Sequence, residues 1–600
     1  MRIIDYYNYI ATAACILICA AAVVIYARGY NARGKKKERF TWENGLTYLL
    51  LAGIILIAAF LRLYKLTAIP AGLQQDEASI GYEAYALARY GIDRNGYSYP
   101  VYPITWGCGG GSPLLIYLNM FSVRLFGTGV LKLRLIPAIC GILTVLLFFF
   151  ILREAFGYGK YEGNRNGIAL FGAFFLAVCP WHVILSRWSL DSNIMPFVLA
   201  LATYLFMLAV RKRSSLLYVL SAAVYAICMY TYGSATIVVP ITLLLALIYC
   251  VRKRAITIGQ LVASGVVFLL IFLPLLVFYG VNYLGLPEIH TGLFTINRFT
   301  SSRSEEVFLK LDKTLPAQLW NNLVTLIRIV TFGDDSDMLC HFIPGYSTLL
   351  EFTFPITFLG IAVSYKEAIE GFALVPRKNN SYERTMNLGQ TSEDENKTIN
   401  VIWNSTLTAC IVLSLLITAD ISRMVMIFLP LIFYFVKGAA FAAEQSKKLV
   451  AVLIVLVFLA TAAFTRDYFS LYNSNTISVF MPTYGDAIGR AYEVAGDERP
   501  VWSTYEGLSS PYMIALYYNE YDPRKFAETV VYKDPYAEFR TASSFGNFTF
   551  ADLPEDVLDD QYSSTVFVVA SSELSLFEKG EGYVTENMGG YSVVYRPLSE

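Results

Sequence analysis

Twelve apolar runs, near residues 9–27, 46–67, 131–152, 168–186, 194–211, 214–232, 235–251, 258–280, 347–364, 399–419, 421–440 and 448–465, constrain this chain more than any other feature. Each is close to the roughly 17 to 25 residues that a helix needs to cross a bilayer. With 56% of its 600 residues hydrophobic and only 16% charged, the chain is too apolar for a soluble globular protein. The expected fold class is a polytopic α-helical membrane protein with about 12 transmembrane helices. A formal net charge of zero provides no electrostatic footprint for nucleic acid.

The basic residues set the topology. Arg28, Arg33, Lys35, Lys36, Lys37 and Arg39 follow the first run, and every second loop after it is basic: Arg153, Lys160 and Arg165; Arg211, Lys212 and Arg213; Arg252, Lys253 and Arg254; Arg377 and Lys378; Lys447 and Lys448. Short cytoplasmic loops carry such an excess of Lys and Arg. The N-terminus, the loops 68–130, 187–193 and 281–346, and the C-terminal segment are therefore expected outside the cytoplasm. Pro113–Phe126 is apolar but short for a span, and counting it as one would invert every later loop, so it reads as a helix lying in the outer interface. The first run lacks a basic leader and a small-residue cleavage site, and reads as a retained span rather than a signal peptide.

Near Arg466 the composition changes. Apolar runs shorten, and acidic residues outnumber basic ones roughly two to one. We expect a membrane unit over 1–465 and a small soluble α/β domain over 466–600, with strands at Pro500–Thr504, Thr529–Tyr532, Thr565–Ala570 and Tyr591–Tyr595 and a helix at Pro511–Tyr518. The polar stretch 365–398 reads as a mobile cytoplasmic connector. Of nine cysteines only Cys108 and Cys340 fall in hydrophilic loops; both loops are on the outer side, where a disulfide between them is allowed.

The residues with chemistry gather on that outer side. Asp76 and Glu77 open an amphipathic helix over Ala78–Tyr90 that Gly91 ends. Asp76 reads in two ways, as the helix cap or as a carboxylate whose pKa is set by burial and which takes a proton from an incoming hydroxyl. Asp191, on the turn between the fourth and fifth spans, shares the side of Asp76 by parity. Arg62, Arg134, Arg187 and Arg423 lie near outer ends of spans, against the usual bias. A shared anion such as a lipid phosphate would account for them, with snorkelling to headgroups the better reading for Arg62. His182, His290 and His341 are scattered, read as interfacial or surface residues, and do not make a metal site.

The stretches LRLYKL, LQQDEASIGYEAYALARYG, SPLLIYLNMFSVRLFGTGVLKLRLIPAICG and CPWHVILSRWSLDSNIMPFVLALATYLF, and more weakly HFIPGYSTLLEFTFPITFLGI and ISRMVMIFLPLIF, resemble the C-type superfamily of membrane glycosyltransferases. The resemblance is to the group of protein O-mannosyltransferases and lipid A aminoarabinose transferases, and it extends to about residue 440. It implies the C-type glycosyltransferase fold and a donor sugar linked through one phosphate to a polyprenol. It implies Asp76 as base, Glu77 holding acceptor or base, Asp191 orienting donor sugar or acceptor, and Arg134 and Arg423, with Arg187 beside them, binding the donor phosphate. No cofactor is required by it; coordination of a divalent cation by Asp76 or Asp191 is left open and not expected. Two departures stand out. CGGGSP, Cys108 to Pro113, replaces the charged residue that aminoarabinose enzymes have before the interfacial helix, and the tryptophan-rich WWD signature of oligosaccharyltransferases is absent.

The expected activity is transfer of that sugar, with inversion, to an acceptor hydroxyl on a protein, a lipid or a cell-wall polymer at the outer face of a plasma membrane, bacterial by default. Two other classes compete. A lipid or solute transporter would place its polar groups near the bilayer midplane, whereas these cluster at outer ends. A non-catalytic envelope-assembly scaffold would have no need of the Asp-Glu pair.

Overall fold

The computed structural model describes residues 3–30, 44–301, 309–335, 338–373 and 388–597. Most of the basic cluster after the first span, and Arg377 and Lys378, lie outside them. The membrane unit opens with α1 (Ile3–Tyr30) and α2 (Asn44–Leu63), followed by α3 (Gln75–Tyr90) and α4 (Pro113–Phe126) in the first outer loop. Then come α5 (Val130–Ala155), α6 (Arg165–Val178), α7 (Pro180–Leu185), α8 (Met195–Lys212), α9 (Ser215–Cys228), α10 (Ala235–Arg252) and α11 (Ile258–Tyr283). The large outer loop carries a hairpin, β1 (Ile289–His290) with β2 (Thr295–Ile296), and α12 (Leu315–Phe332). The bundle closes with α13 (Phe354–Ala373), α14 (Leu388–Leu416), α15 (Phe428–Gln445) and α16 (Lys447–Asn475). α15 runs through the middle of the bundle, buried without interruption from Phe428 to Ala442.

Among the described residues nine helical segments are long and apolar enough to cross a membrane. The other three expected spans differ for identifiable reasons. The run 168–186 is divided between α6 and α7 because Pro180 has no N–H for the Leu176 carbonyl and the Trp181 N–H turns to Thr348 O at 3.0 Å. α9 has only 14 residues. α13 starts seven residues later than the run at 347 and takes in Lys366, Glu367 and Glu370. α13 and α14 also reach into the stretch expected to be a connector; the remainder, 374–387, lies outside the described residues.

The loops separate as the charge pattern requires. At one end Arg211 pairs with Glu154 at 2.5 Å, Lys160 with Glu444 at 3.2 Å and Lys437 with Glu367 at 2.6 Å. The first outer loop, the 187–193 turn, the large outer loop and the turn between α14 and α15 meet at the other end. α16 projects beyond the run ending at 465, to Asn475, because its last turns prop this end: the Asn473 amide accepts from Ala71 N at 3.0 Å and donates to Ala68 O at 2.8 Å.

The C-terminal unit follows with α17 (Ile477–Phe480), α18 (Tyr484–Ala495), β3 (Val501–Ser503), α19 (Pro511–Tyr518), α20 (Pro523–Thr529), β4 (Val531–Tyr532), β5 (Ala542–Phe545), β6 (Phe548–Phe550), β7 (Val566–Ala570), β8 (Val584–Asn587) and β9 (Tyr591–Tyr595). Its seven strands form one sheet in the order β4-β5-β6-β3-β7-β9-β8. β3 lies parallel to β6 and β7, with Val501 opposite Phe548 on one side and Val566 on the other. Every residue of β7 is buried, as the apolar run VFVVA requires of a strand covered on both faces. This unit shares one apolar core with α3 and α4: Ala78, Tyr82, Leu115 and Ile116 pack with Tyr512, Tyr517 and Phe526.

Candidate active site

Helix α3 is held from three sides before its carboxylates do anything. Its cap is Gln74, not Asp76: the Gln74 Oε1 accepts from Asp76 N at 2.5 Å and Glu77 N at 3.2 Å. Gly91, at φ 72°, closes the other end by donating to Leu87 O. Gly81 faces the Tyr517 ring of α19, where a Cβ would stand 2.6 Å from the ring edge. Tyr82 and Tyr85 donate to Tyr521 O at 3.0 Å and Glu520 O at 2.7 Å.

Capping by Gln74 leaves the Asp76 carboxylate free of the helix backbone. Asp76 is half-buried and accepts from Gln74 Nε2 at 3.1 Å, with the Trp106 indole as a second donor. Burial pushes its carboxyl up from the ordinary range; the Gln74 and Trp106 hydrogen bonds and the His341 charge pull it back part of the way.

Glu77 is wholly buried in a bidentate pair with Arg134, whose Nε and Nη2 donate at 2.8 Å each. It also accepts from Ser189 N at 2.9 Å, tying α3 to the 187–193 turn. Arg134 donates further to Leu66 O, Pro70 O and Gly72 O at 3.1, 2.7 and 2.6 Å, which engages all of its N–H groups. Arg187, equally buried, donates to Leu61 O, Tyr64 O, Lys65 O and Ile69 O. The acceptors these two arginines share are thus the row of peptide carbonyls where the chain leaves α2 and enters the first outer loop. All N–H groups of Arg134 are engaged, while on Arg187 the buried Nε has no partner and Nη1 has only Leu61 O among the described residues. Gly72, at φ 86°, completes the turn; a Cβ there would meet Phe480 O at 2.1 Å.

Arg62 does not snorkel. It is fully buried and donates to Ala177 O at 2.9 Å and Leu176 O at 3.4 Å, the carbonyls that the break at Pro180 leaves without helical partners, and contacts His182 Nδ1 at 2.7 Å.

Asp191 accepts from both the backbone N and the Oγ of Ser112 at 2.9 and 2.8 Å, joining its turn to the start of α4, and lies close enough to Asp76 for their charges to interact. Arg423 differs from the other three arginines. It is 23% exposed, pairs with Asp420 at 3.0 Å, donates to Thr418 O through Nη1, and its Nη2 makes no hydrogen bond among the described residues.

Two residues at this site were not anticipated as such. His341, read as a surface residue, is buried, with Nδ1 2.5 Å from Asp335 Oδ2 and Nε2 3.1 Å from Ser422 Oγ. Asp335 also accepts from Ile421 N at 3.1 Å. Nothing in the local pattern marks this pair, because its partner Ser422 lies 81 residues away. His182 is likewise buried, whereas His290 is exposed beside Glu288. No two cysteines are joined by a disulfide among the described residues, Cys108 and Cys340 included. Among the described residues no three His, Cys, Asp or Glu side chains are grouped to hold a metal ion.

Residues 111–278, from the start of α4 through most of α11, match the family model of dolichyl-phosphate-mannose-protein mannosyltransferases. No curated protein sequence matches the chain. Among solved structures, the Archaeoglobus fulgidus oligosaccharyltransferase in complex with Zn and sulfate is 14% identical at a TM-score of 0.47, over 92% of this chain and 74% of that one. ArnT from Cupriavidus metallidurans bound to undecaprenyl phosphate is 12% identical at a TM-score of 0.42, over 93% and 100%. The S. cerevisiae protein O-mannosyltransferase Pmt1-Pmt2 complex bound to the sugar donor is 19% identical at a TM-score of 0.30, over 46% and 38%.

Proposed function

We propose, from its relation to the C-type, mannosyltransferase-like membrane glycosyltransferases, that this chain transfers a sugar from a polyprenyl-phosphate donor to an acceptor hydroxyl at the extracytoplasmic face, with Asp76 as the general base. The observation that carries the reading is Asp76 itself. It is the half-buried carboxylate of a helix fixed by its neighbours, relieved of capping by Gln74, and raised by burial toward the pH at which a base accepts a proton.

In this reading the acceptor oxygen attacks the anomeric carbon, the bond from that carbon to the phosphate oxygen breaks, and the hydroxyl proton passes to Asp76. A single displacement inverts the anomeric centre. Arg423 is the arginine with a donor to offer the leaving phosphate, and its turn is tied to the Asp76 side of the site through Ser422 and His341. Glu77, Arg134 and Arg187 build the loop and do not touch substrate. Asp191 sets the start of α4 beside Asp76 and leaves one side of its carboxylate, Oδ1, bonded only to the neighbouring Ser192 N at 2.8 Å. The acceptor, whether protein, lipid or cell-wall polymer, is identified by the labelled product.

The test is transfer of label from radiolabelled polyprenyl-phosphate sugars in membranes holding wild type or Asp76→Asn at matched levels. The expected loss in Asp76→Asn is on the order of 10²- to 10⁴-fold, the range a positioned base contributes. Equal transfer by both proteins would reduce Asp76 to a structural residue.

A further inference from the structure

We propose that α12, in the large outer loop, is a lipid-facing helix: the stripe formed by Trp320, Val324 and Ile327 lies in the headgroup layer of the outer leaflet, so the partner of this surface is the membrane itself. The inference stands apart from the transfer reaction proposed above, and absence of transfer leaves it untouched.

Three stripes divide the 18 residues of α12. Leu326, Ile329 and Val330 are buried against the protein. Roughly a third of a turn round from them, at 3.6 residues per turn, Gln318, Asn321, Thr325 and Arg328 form a polar flank on which Asn321 and Arg328 are exposed. The remaining sector is apolar and open. Trp320 and Ile327, one above the other along the helix, are 66% and 49% exposed, and Val324 is half-buried between them. A helix at a boundary between protein and water has use for one apolar face and one polar face; a second apolar face calls for a third medium.

The attachments of α12 place that open face at the bilayer boundary. Asn322 Nδ2 donates to Leu415 O at 3.2 Å and Leu309 N donates to Leu416 O at 3.0 Å, so the middle of α12 and the segment leading into it rest on the last turn of the span Asn396–Leu416. Its C-terminal turn is held by Thr348 Oγ1, which donates to Val330 O at 2.9 Å, and Gly333 comes close to Ser347, in the segment before α13. A helix about 27 Å long, fixed at both points to outer ends of the bundle, lies across that end and continues none of the spans. Ile411 and Leu416 of α14 are exposed as well, so one apolar surface runs from a span onto α12. Lys310 and Lys313, both exposed, flank the start of the helix, where lipid phosphates suit them. An exposed Trp beside such a span end belongs to the interface layer. This continuity with the lipid-facing surface favours lipid over a second copy of the chain as the occupant. Just beyond Gly333, Asp335 accepts from Ile421 N at 3.1 Å, which ties the depth of α12 in the leaflet to the depth of the turn carrying Arg423.

The experiment reads Trp320 on the full-length protein in lipid nanodiscs, as the difference in tryptophan emission between wild type and Trp320→Phe. Two quenchers are compared: phosphatidylcholine brominated on the acyl carbons nearest the headgroup, and iodide in the water. The Trp320 emission is expected to be largely lost in brominated lipid and to respond weakly to iodide. Asn321→Trp in the Trp320→Phe background carries the indole round to the polar flank, and its emission, measured against Trp320→Phe alone, is expected to show the reverse order. Trp320 emission that survives brominated lipid overturns the proposal: quenching by iodide then marks a face in open water, and protection from both quenchers marks a face covered by a second copy. Equal loss in brominated lipid at the two positions also overturns it, because the apolar stripe would then have no preferred side. Should Trp320→Phe fail to fold, Ile327→Trp measured against wild type reads the same stripe, with loss in brominated lipid supporting the proposal and survival overturning it.

Discussion

At the residue scale the four arginines near outer span ends illustrate how one sequence signal divides in three dimensions. All four needed acceptors: Arg134 pairs with the Glu77 carboxylate and, like Arg187, donates to the peptide carbonyls at the end of α2, Arg62 meets those exposed by Pro180, and Arg423 meets a carboxylate, with no hydrogen bond at Nη2 among the described residues. Charge and position are legible in a sequence; which dipoles a guanidinium meets is not. Arg134→Ala is expected to destabilise the protein by about 3–5 kcal/mol, because it strands the buried Glu77 carboxylate. Unfolding in detergent checks this, and Glu77→Gln combined with Arg134→Met is expected to recover part of the loss. Asp76 carries two pH predictions. Only its deprotonated form accepts a proton, so kcat/KM is expected to fall as pH drops through a pKa raised above the roughly 3.9 of a free aspartate. The sign for stability is opposite. A carboxyl with a raised folded-state pKa binds protons more tightly folded than unfolded, so its contribution is fullest at low pH and declines as pH rises from about 3.9 through the raised value. Asp76→Asn is therefore expected to be inactive yet no less stable than wild type at neutral pH, as thermal unfolding at pH 7 would report.

At the element scale helix α3 ends at Tyr90 as its sequence suggests, but it starts at Gln75 rather than Ala78, with its cap two residues before Asp76. Gln74 precedes two carboxylates in the first turn, where acids favour the helix dipole without having to cap it. Its middle, from Glu77 to Leu87, is buried all round, because α4 covers one side and α19 the other. Gly81 makes the second contact close. Gly81→Ala is expected to cost about 1–3 kcal/mol by pressing a methyl into the Tyr517 ring, and Tyr517→Leu in the same chain is expected to return part of it, measured as a double-mutant cycle in thermal unfolding. The helix α4 could be read directly, from its apolar run bounded by Pro113 and Gly127. α12 escaped notice because its 18 residues mix Gln318 with Asn321 and Asn322 among apolar side chains, which lowers the run below a span while leaving Trp320 and Ile327 exposed on one face.

For the whole molecule, parity and packing bear on the same question from independent directions. Loops assigned to one side by Lys and Arg counts are the loops that meet around Asp76, and the basic loops meet at the far end. A cysteine placed at the exposed Glu506 of the C-terminal unit is expected to react with a membrane-impermeant maleimide in intact cells, and one at Arg213 only after lysis; the reverse pattern would invert the topology. The sequence by itself determined the membrane class, the alternation of sides, the short helix α4, the break into an α/β unit and the candidacy of Asp76. All of these follow from local composition and period, which a linear chain displays. Only the tertiary structure decided that Gln74 rather than Asp76 caps α3, that the C-terminal unit shares a core with α3 and α4, that Arg134 and Arg187 hold backbone carbonyls, and that His341 is buried between Asp335 and Ser422. Each of these depends on groups far apart in the chain meeting in a dehydrated interior. There an unpaired charge or carbonyl is costly, and the partner that satisfies it is chosen by packing rather than by spacing in the sequence.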